Sequence, residues 1–346
     1  MAKQTAVVVA PGRGTYNKAE LGYIARHHAD KADMFAQFDA FRAQTGQEAV
    51  TALDGAERFQ GSKHTRGDHA SPLIYAAALA DYQAIDRDKY DTLAVTGNSM
   101  GWYIALACGG ALSPTGGFEV VNTMGTLMQE NLIGGQIIYP FVDDNWVEIP
   151  GRRDEVFAKC ADISARADHI LGLSIDLGGM LVLAGNEAGL VAFEREMPRL
   201  DDRFPMRLPN HAGFHTHLQK PVAEQGRARL GADLFGQPDV SLIDGRGAIW
   251  APKACNQRAL WDYTLGHQIY QPYDFTAAIR VAAREFMPDV FIVLGPGGTL
   301  GGAVAQSLLS ANWRGMSDKA GFQVEQSATP RLLSMGREDQ RALVTG

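Results

Sequence analysis

The chain has 346 residues, 46% of them apolar and 21% charged, an ordinary balance for a globular enzyme with a sizeable core. Its net charge of −7 argues against nonspecific nucleic-acid binding, though it leaves room for a local basic patch facing an acidic protein. No stretch approaches the roughly 18 apolar residues needed to span a bilayer, so no membrane association is expected. The apolar run from Ala6 to Ala10 is too short for a signal peptide, and a turn follows at once. Cys108, Cys160 and Cys255 are scattered, which suggests buried thiols in a reducing compartment, and the cytoplasm is the expected location.

In chain order, "TAVVVA" (5–10) reads as a buried strand broken by "PGRG", with helical patterns through "AELGYIARHHADKADMFAQFDAFRAQTG". Residues 71–86 form an Ala-rich helix with Pro72 near its start, 92–97 the next strand, and 100–111 and 117–131 two further helices. The pattern then changes. "GGQIIYPFVDD", a charged helix at 152–167, "MLVLAGN" and a helix at 187–197 suggest a small β-α-β-α unit, and Pro205 and Pro209 mark a return to the main body. "VSLID", helices at 256–266 and 274–287, "DVFIVLG" and a helix at 300–310 follow. Alternating strands and helices imply a mostly parallel sheet covered on both faces. The expected organisation is a core from 1–131 and 205–311, an insertion over 132–204, and a polar tail over 312–346.

"VTGNSMGWY" (95–103) ends a strand in G-x-S-x-G and opens a helix, the pattern of a nucleophile elbow. Gly97 and Gly101 permit the sharp turn, Ser99 falls at a helix N-terminus, and the Met100 N–H becomes an oxyanion donor. The plain alternative is a serine that caps a strand-to-helix turn. A serine nucleophile needs a base. His27 and His28 read as surface residues on an amphipathic helix, His64 and His69 as part of a solvated loop, and His169 falls in the insertion. That leaves His211, His215 and His217 in "NHAGFHTHLQKP", with His267 further on. Their spacing invites a metal reading, but no nearby cysteine or paired carboxylate completes a ligand set, so no metal is expected. "GPGGTLGG" (295–302) lacks the G-x-G-x-x-G spacing of a dinucleotide loop and reads as a strand-to-helix turn.

Four ordered stretches resemble the malonyl-CoA:acyl carrier protein transacylases and the acyltransferase domains of polyketide synthases. "VTGNSMGWYIALACGGALSPTGGFEVVNTMGTLMQE" is similar to their G-H-S-x-G-E-Y-x-A-L, G-x-L-S and R-G-x-x-M-Q run. "APGRGTY" resembles F-P-G-Q-G-S-Q, "LPNHAGFHTHLQKP" resembles A-P-F-H-S-x-L-M-x-P, and "HQIYQPYDF…VFIVLGPGGTLGG" resembles Q-L-x-x-P-V-R-W and a following G-P-G turn. The resemblance implies an α/β-hydrolase-like large domain with an inserted ferredoxin-like small domain. It implies ping-pong acyl transfer from acyl-CoA to an acyl carrier protein, without a bound cofactor. It matches Ser99 to the nucleophile, His215 (after Phe214) to the catalytic histidine, the Gln268 carbonyl to the group that orients it, and the Met100 and Arg13 N–H groups to the oxyanion donors.

The departures bear on the acyl group. Met124 stands where the family places the arginine that holds a malonyl carboxylate, and no Lys or Arg occurs between Lys89 and Arg152. A carboxylate buried there would lose its hydration without a bidentate partner, so a neutral acyl group is expected; Met124 as plain helix packing is the alternative. Asn98 replaces the histidine before the nucleophile. Trp102 replaces the family glutamate and either shapes the acyl pocket or packs beneath it. Arg13 replaces a glutamine in the loop facing Ser99, either as an anion-binding group or as a solvent-facing loop arginine. The same dyad also serves hydrolysis of acyl-carrier thioesters, and a non-catalytic interaction subunit is the third reading. Arg203, Arg207, Lys220, Arg227 and Arg229 flank the histidine segment as candidate docking residues for an acidic carrier.

Overall fold

In the computed structural model residues 3–346 are described; Met1 and Ala2, at the start of the segment expected over 1–131, lie outside them. Two sheets organise these residues. The large one is built from β1 (Gln4–Ala10), β2 (Tyr90–Gly97), β7 (Ser241–Ile243), β8 (Ile249–Trp250), β10 (Val290–Val293) and β11 (Leu332–Ser334), in the order β11-β10-β1-β2-β7-β8. All its pairings are parallel except β7 with β8. β1 and β10 are buried on both faces, which is why they read as unbroken Val/Ile runs rather than alternating ones.

The second sheet contains β3 (Gly135–Pro140), β4 (Leu171–Leu177), β5 (Met180–Gly185), β6 (Met206–Arg207) and β9 (Tyr273–Asp274), in the order β6-β3-β5-β4-β9. With the helices Arg152–Ser164 and Glu187–Glu196 its first four strands run β-α-β-β-α-β, the ferredoxin-like order. The β-α-β-α unit read from the sequence lacked β4, "LGLSIDL", whose glycine, serine and aspartate mask the strand. Those polar side chains are buried and bonded. Ser174 Oγ accepts from Gln136 Nε2 at 2.7 Å and donates to the Phe214 carbonyl at 2.8 Å, and Asp176 accepts from Thr276. β9 comes from the main body and extends this sheet beside β4, joining the two sheets through the chain.

Residues 312–346, set apart above as a polar tail, are part of the fold. β11 pairs with β10, and the helix Glu338–Val344 inserts Arg341 into the core. Asp81 there accepts from Arg341 Nη1 (2.7 Å), Tyr23 Oη (2.8 Å) and the Gly295 N–H (2.7 Å), with His28 Nε2 at 2.8 Å. His28 is therefore fully buried rather than on the surface. His64, expected in a solvated loop, is also buried, with Nε2 3.2 Å from the Leu53 carbonyl. His28 enters the core because Asp81, 53 residues away, meets its Nε2, and His64 because the nearer carbonyls of Gln60 and Leu53 face its two ring nitrogens. Among the described residues no helix is long and apolar enough to cross a membrane.

Candidate active site

β2 ends at Gly97 and the helix Gly101–Cys108 begins four residues later. A Cβ on Gly97 would lie 2.2 Å from the Gly101 carbonyl oxygen, and one on Gly101 would lie 2.4 Å from that of Ala10, so the tight elbow admits side chains at neither position. Ser99, between them, has φ 55°, a left-handed conformation uncommon for a residue with a Cβ and often found at functional sites. The end of β1 packs on this elbow through the Asn98 N–H, which donates to the Ala10 carbonyl at 3.1 Å.

His215 reaches Ser99 from the other side. Its Nε2 lies 2.7 Å from Ser99 Oγ and its Nδ1 2.7 Å from the Gln268 carbonyl oxygen. A carbonyl only accepts, so Nδ1 carries the proton and Nε2 presents its lone pair to the serine hydroxyl. The backbone is held too: the His215 N–H donates to the Ile269 carbonyl at 3.0 Å, and Ser174 holds the carbonyl of Phe214. Gln268 follows a π-helical turn, Tyr263–His267, and its side chain donates to the Ser99 carbonyl at 3.0 Å while accepting from Tyr103 Oη at 2.9 Å. One residue thus ties the elbow to the histidine. Burial lowers the His215 pKa to about 4, against a smaller opposing effect of the Gln268 carbonyl, so the ring is neutral near pH 7.

Two cavities meet at Ser99. A cleft of about 400 Å³ runs between the domains, with apolar walls from Ile138, Ile175, Leu177 and Val182 and polar groups from Asn98, Gln136 and Gln306. A smaller chamber of about 30 Å³ lies behind the dyad, lined by Met100, Val121, Met124, Met128, Ile269 and Phe214, with Ser71, Arg13, Tyr103 and Gln268 as polar members besides the dyad. Among the described residues the amides of Met100 and Arg13 donate to no backbone carbonyl, and both residues line the chamber beside Ser99.

The residues singled out from sequence separate accordingly. Ser99, His215, Gln268, Met100, Arg13, Met124, Asn98 and Phe214 converge on these two cavities. Trp102 does not: fully buried, it packs edge-to-face on Tyr263 and donates from Nε1 to Thr264 Oγ1 at 2.9 Å, so packing is the reading that applies. His211 lines the cleft with Nδ1 on the Pro209 carbonyl, and the three clustered histidines do not converge on one point. Sequence reasoning missed Ser71, Met128 and the strands β3–β5 as cavity walls, because each is ordinary in its local context.

A serine–histidine dyad at a strand-to-helix elbow of a mostly parallel sheet, joined to a ferredoxin-like second sheet, defines a class of two-domain α/β folds built around an activated serine. Within that class the chain is similar to the malonyl-CoA–acyl carrier protein transacylases. It is 24% identical to the enzyme so named from Salmonella typhimurium over 298 residues, 85% of this chain and 90% of that one. It is also 26% identical over 314 residues to a polyketide synthase of phenolphthiocerol synthesis from Mycobacterium marinum, of which the match covers 14%. The fold matches an acyl-carrier-protein S-malonyltransferase from Burkholderia pseudomallei (TM-score 0.71, 23% identity, 93% of this chain and 99% of that one). It likewise matches the malonyl-CoA:ACP transacylase of Synechocystis (TM-score 0.75, 16% identity, 98% and 99%). No family model matches the chain.

Proposed function

We propose that this protein transfers an acyl group from acyl-CoA, through an ester on Ser99, to the phosphopantetheine thiol of an acyl carrier protein. The observation that carries the reading is the Ser99–His215–Gln268 relay of two 2.7 Å hydrogen bonds at the junction of the cleft and the chamber. Neutral His215 takes the Ser99 proton as Oγ attacks the thioester carbonyl. The oxyanion that forms is held by the Met100 and Arg13 N–H groups. The C–S bond then breaks, and the departing CoA thiolate takes the proton from His215. In the second half-reaction the carrier thiol gives its proton to His215 and attacks the ester, and Ser99 leaves with that proton. The long cleft suits a pantetheine arm, whose amides meet Gln136, Gln306 and Asn98, and the small chamber suits a short acyl chain. The cytoplasm, where such substrates reside, fits three free and buried cysteines.

Incubation with acyl-CoAs, followed by intact mass with and without a phosphopantetheinylated carrier, tests the reading. An acyl-Ser99 adduct discharged onto the carrier is expected. An adduct lost equally fast to water without a carrier would make the protein a hydrolase. Met124 shares its chamber with Arg13, so an apolar side chain at position 124 does not by itself select a neutral acyl group.

A further inference from the structure

Arg13 extends from the loop after β1 with an incompletely satisfied guanidinium. Its Nη2 donates to the carbonyls of Thr65 and Asn210, each at 3.0 Å. Nε and Nη1 are buried and have no hydrogen-bond partner among the described residues. The guanidinium lies over the Phe214 ring at 5.6 Å, and Nη1 reaches the point where Gly67, at the start of the helix Gly67–Ala84, touches Gly125 in the helix Pro114–Glu130. Gly125 follows Met124, and Arg13, Met124, Gly125 and Ser71 all line the chamber behind Ser99. Asp68, the acid whose field reaches Arg13, already binds Arg66 through both oxygens at 3.0 and 2.9 Å. The remaining walls are mainly apolar side chains.

A buried cation with unused donors, facing a cavity with no acid of its own in the wall, is disfavoured until an anion fills it. We infer that Arg13 selects the acyl group of the proposed reaction: its free N–H groups receive the terminal carboxylate of a short dicarboxylic acyl chain, entering from the β1 loop rather than from helix position 124. This rests on the acyl-transfer reading. Arg13 borders the open cleft as well as the chamber, but its two unpartnered nitrogens, Nε and Nη1, are the buried ones, which argues for a carboxylate on a short chain over the phosphates of CoA. Burial lowers the Arg13 pKa only to about 10, so the group stays charged near neutral pH. Met124 and its apolar neighbours then enclose the methylene side of the chain, and the Arg13 backbone N–H and side chain act on the two ends of one substrate.

The experiment compares rates of Ser99 adduct formation from malonyl-CoA and acetyl-CoA, by intact mass, in the wild type, Arg13→Gln and Arg13→Lys. Both substitutions keep the backbone N–H, and thermal melts report folding. Expected is a wild-type preference for malonyl-CoA. In Arg13→Gln the ratio of malonyl to acetyl rates should fall about 100-fold, with Arg13→Lys in between. Equal losses on both thioesters would mean that Arg13 holds a group common to both, such as a CoA phosphate, and would overturn the inference. A wild-type preference for acetyl-CoA would overturn it too. If neither thioester labels the wild type at all, the acyl-transfer reading falls and takes this inference with it.

Discussion

Ser99 and His215 are 116 residues apart, yet their side chains meet at 2.7 Å and both hold left-handed backbone, φ 55° and 58°. Strain at both ends of one hydrogen bond is maintained only if the surroundings over-determine it. Here Gly97 and Gly101 leave Ser99 no other turn, and the Ile269 and Gln268 carbonyls fix His215 from above. Ser99→Ala should abolish acyl labelling with little change in stability. His215→Ala should slow labelling by about three orders of magnitude or more, because the hydroxyl loses its only base. Adduct formation by Ser99→Ala at the wild-type rate would place the nucleophile elsewhere.

The pH dependence follows from burial of the histidine. With the folded pKa at about 4 rather than 6.5, the base form persists well into acid, so single-turnover acylation should be flat from pH 8 to about 5 and decline only below that. The same depression acts on stability. Between pH 6.5 and about 4 the unfolded chain binds a proton on this histidine that the folded chain does not. Its contribution is complete above 6.5 and falls, by about 1.4 kcal/mol per pH unit, as pH drops through that window. An acylation profile that titrates near 6.5 would show a solvated histidine and contradict the geometry.

Much of the site was legible because its signals are local. Two glycines around a serine after a β-branched run describe an elbow within five residues. The choice of His215 among nine histidines came from the resemblance, not from spacing. What failed was non-local. His28 sits among charged neighbours and looked exposed, but its partner Asp81 is 53 residues away, and the Arg341 that completes the cluster is 260 residues beyond Asp81. β4 looked like loop because Ser174 and Asp176 are polar, and only their bonds to Gln136, Phe214 and Thr276 explain their burial. Arg13 reads as a replaced glutamine that either binds an anion or faces solvent, and nothing within its loop reports that it lines the same chamber as Met124.

The buried cluster makes the C-terminal segment structural. Arg341→Met leaves Asp81 without its charged partner, and loss of one member of a buried pair typically destabilises by about 3–5 kcal/mol. Denaturant unfolding should show that loss, and truncation after residue 311 should prevent folding, since it also strips β11 from β10. A truncated chain with wild-type unfolding behaviour would restore the reading of 312–346 as a tail.

Trp102 tests the division between packing and pocket. Trp102→Ala removes a fully buried indole and its bond to Thr264, which should destabilise by about 3–5 kcal/mol. Trp102→Phe keeps most of the volume and should leave the order of preference among acyl-CoAs unchanged, measured as relative adduct rates. A reordered preference in Trp102→Phe would return this residue to the substrate pocket.

Carrier docking is the last expectation, and the structure divides its five candidate cations. Arg207 pairs with Glu187 and Glu194, each at 3.0 Å, and Arg227 pairs with Asp262 at 2.9 Å while lying over Trp261. Their charge is already spent within the protein. Arg203, Lys220 and Arg229 are exposed, and Lys220 opens the helix Lys220–Arg229 that follows the His215 segment. An acidic carrier approaching the cleft would be steered by these three, an effect on encounter rate that salt screens over roughly 8 Å at physiological ionic strength. Transfer from acyl-Ser99 to carrier should therefore slow as salt rises from low to about 0.5 M, while acylation by acyl-CoA, tested in parallel, responds less. Lys220→Glu should reduce kcat/KM for the carrier by about tenfold and flatten its salt dependence, and Arg207→Gln should do neither, because Arg207 has no free charge to offer. Equal effects of the two substitutions, or transfer indifferent to salt, would remove electrostatic steering by this face.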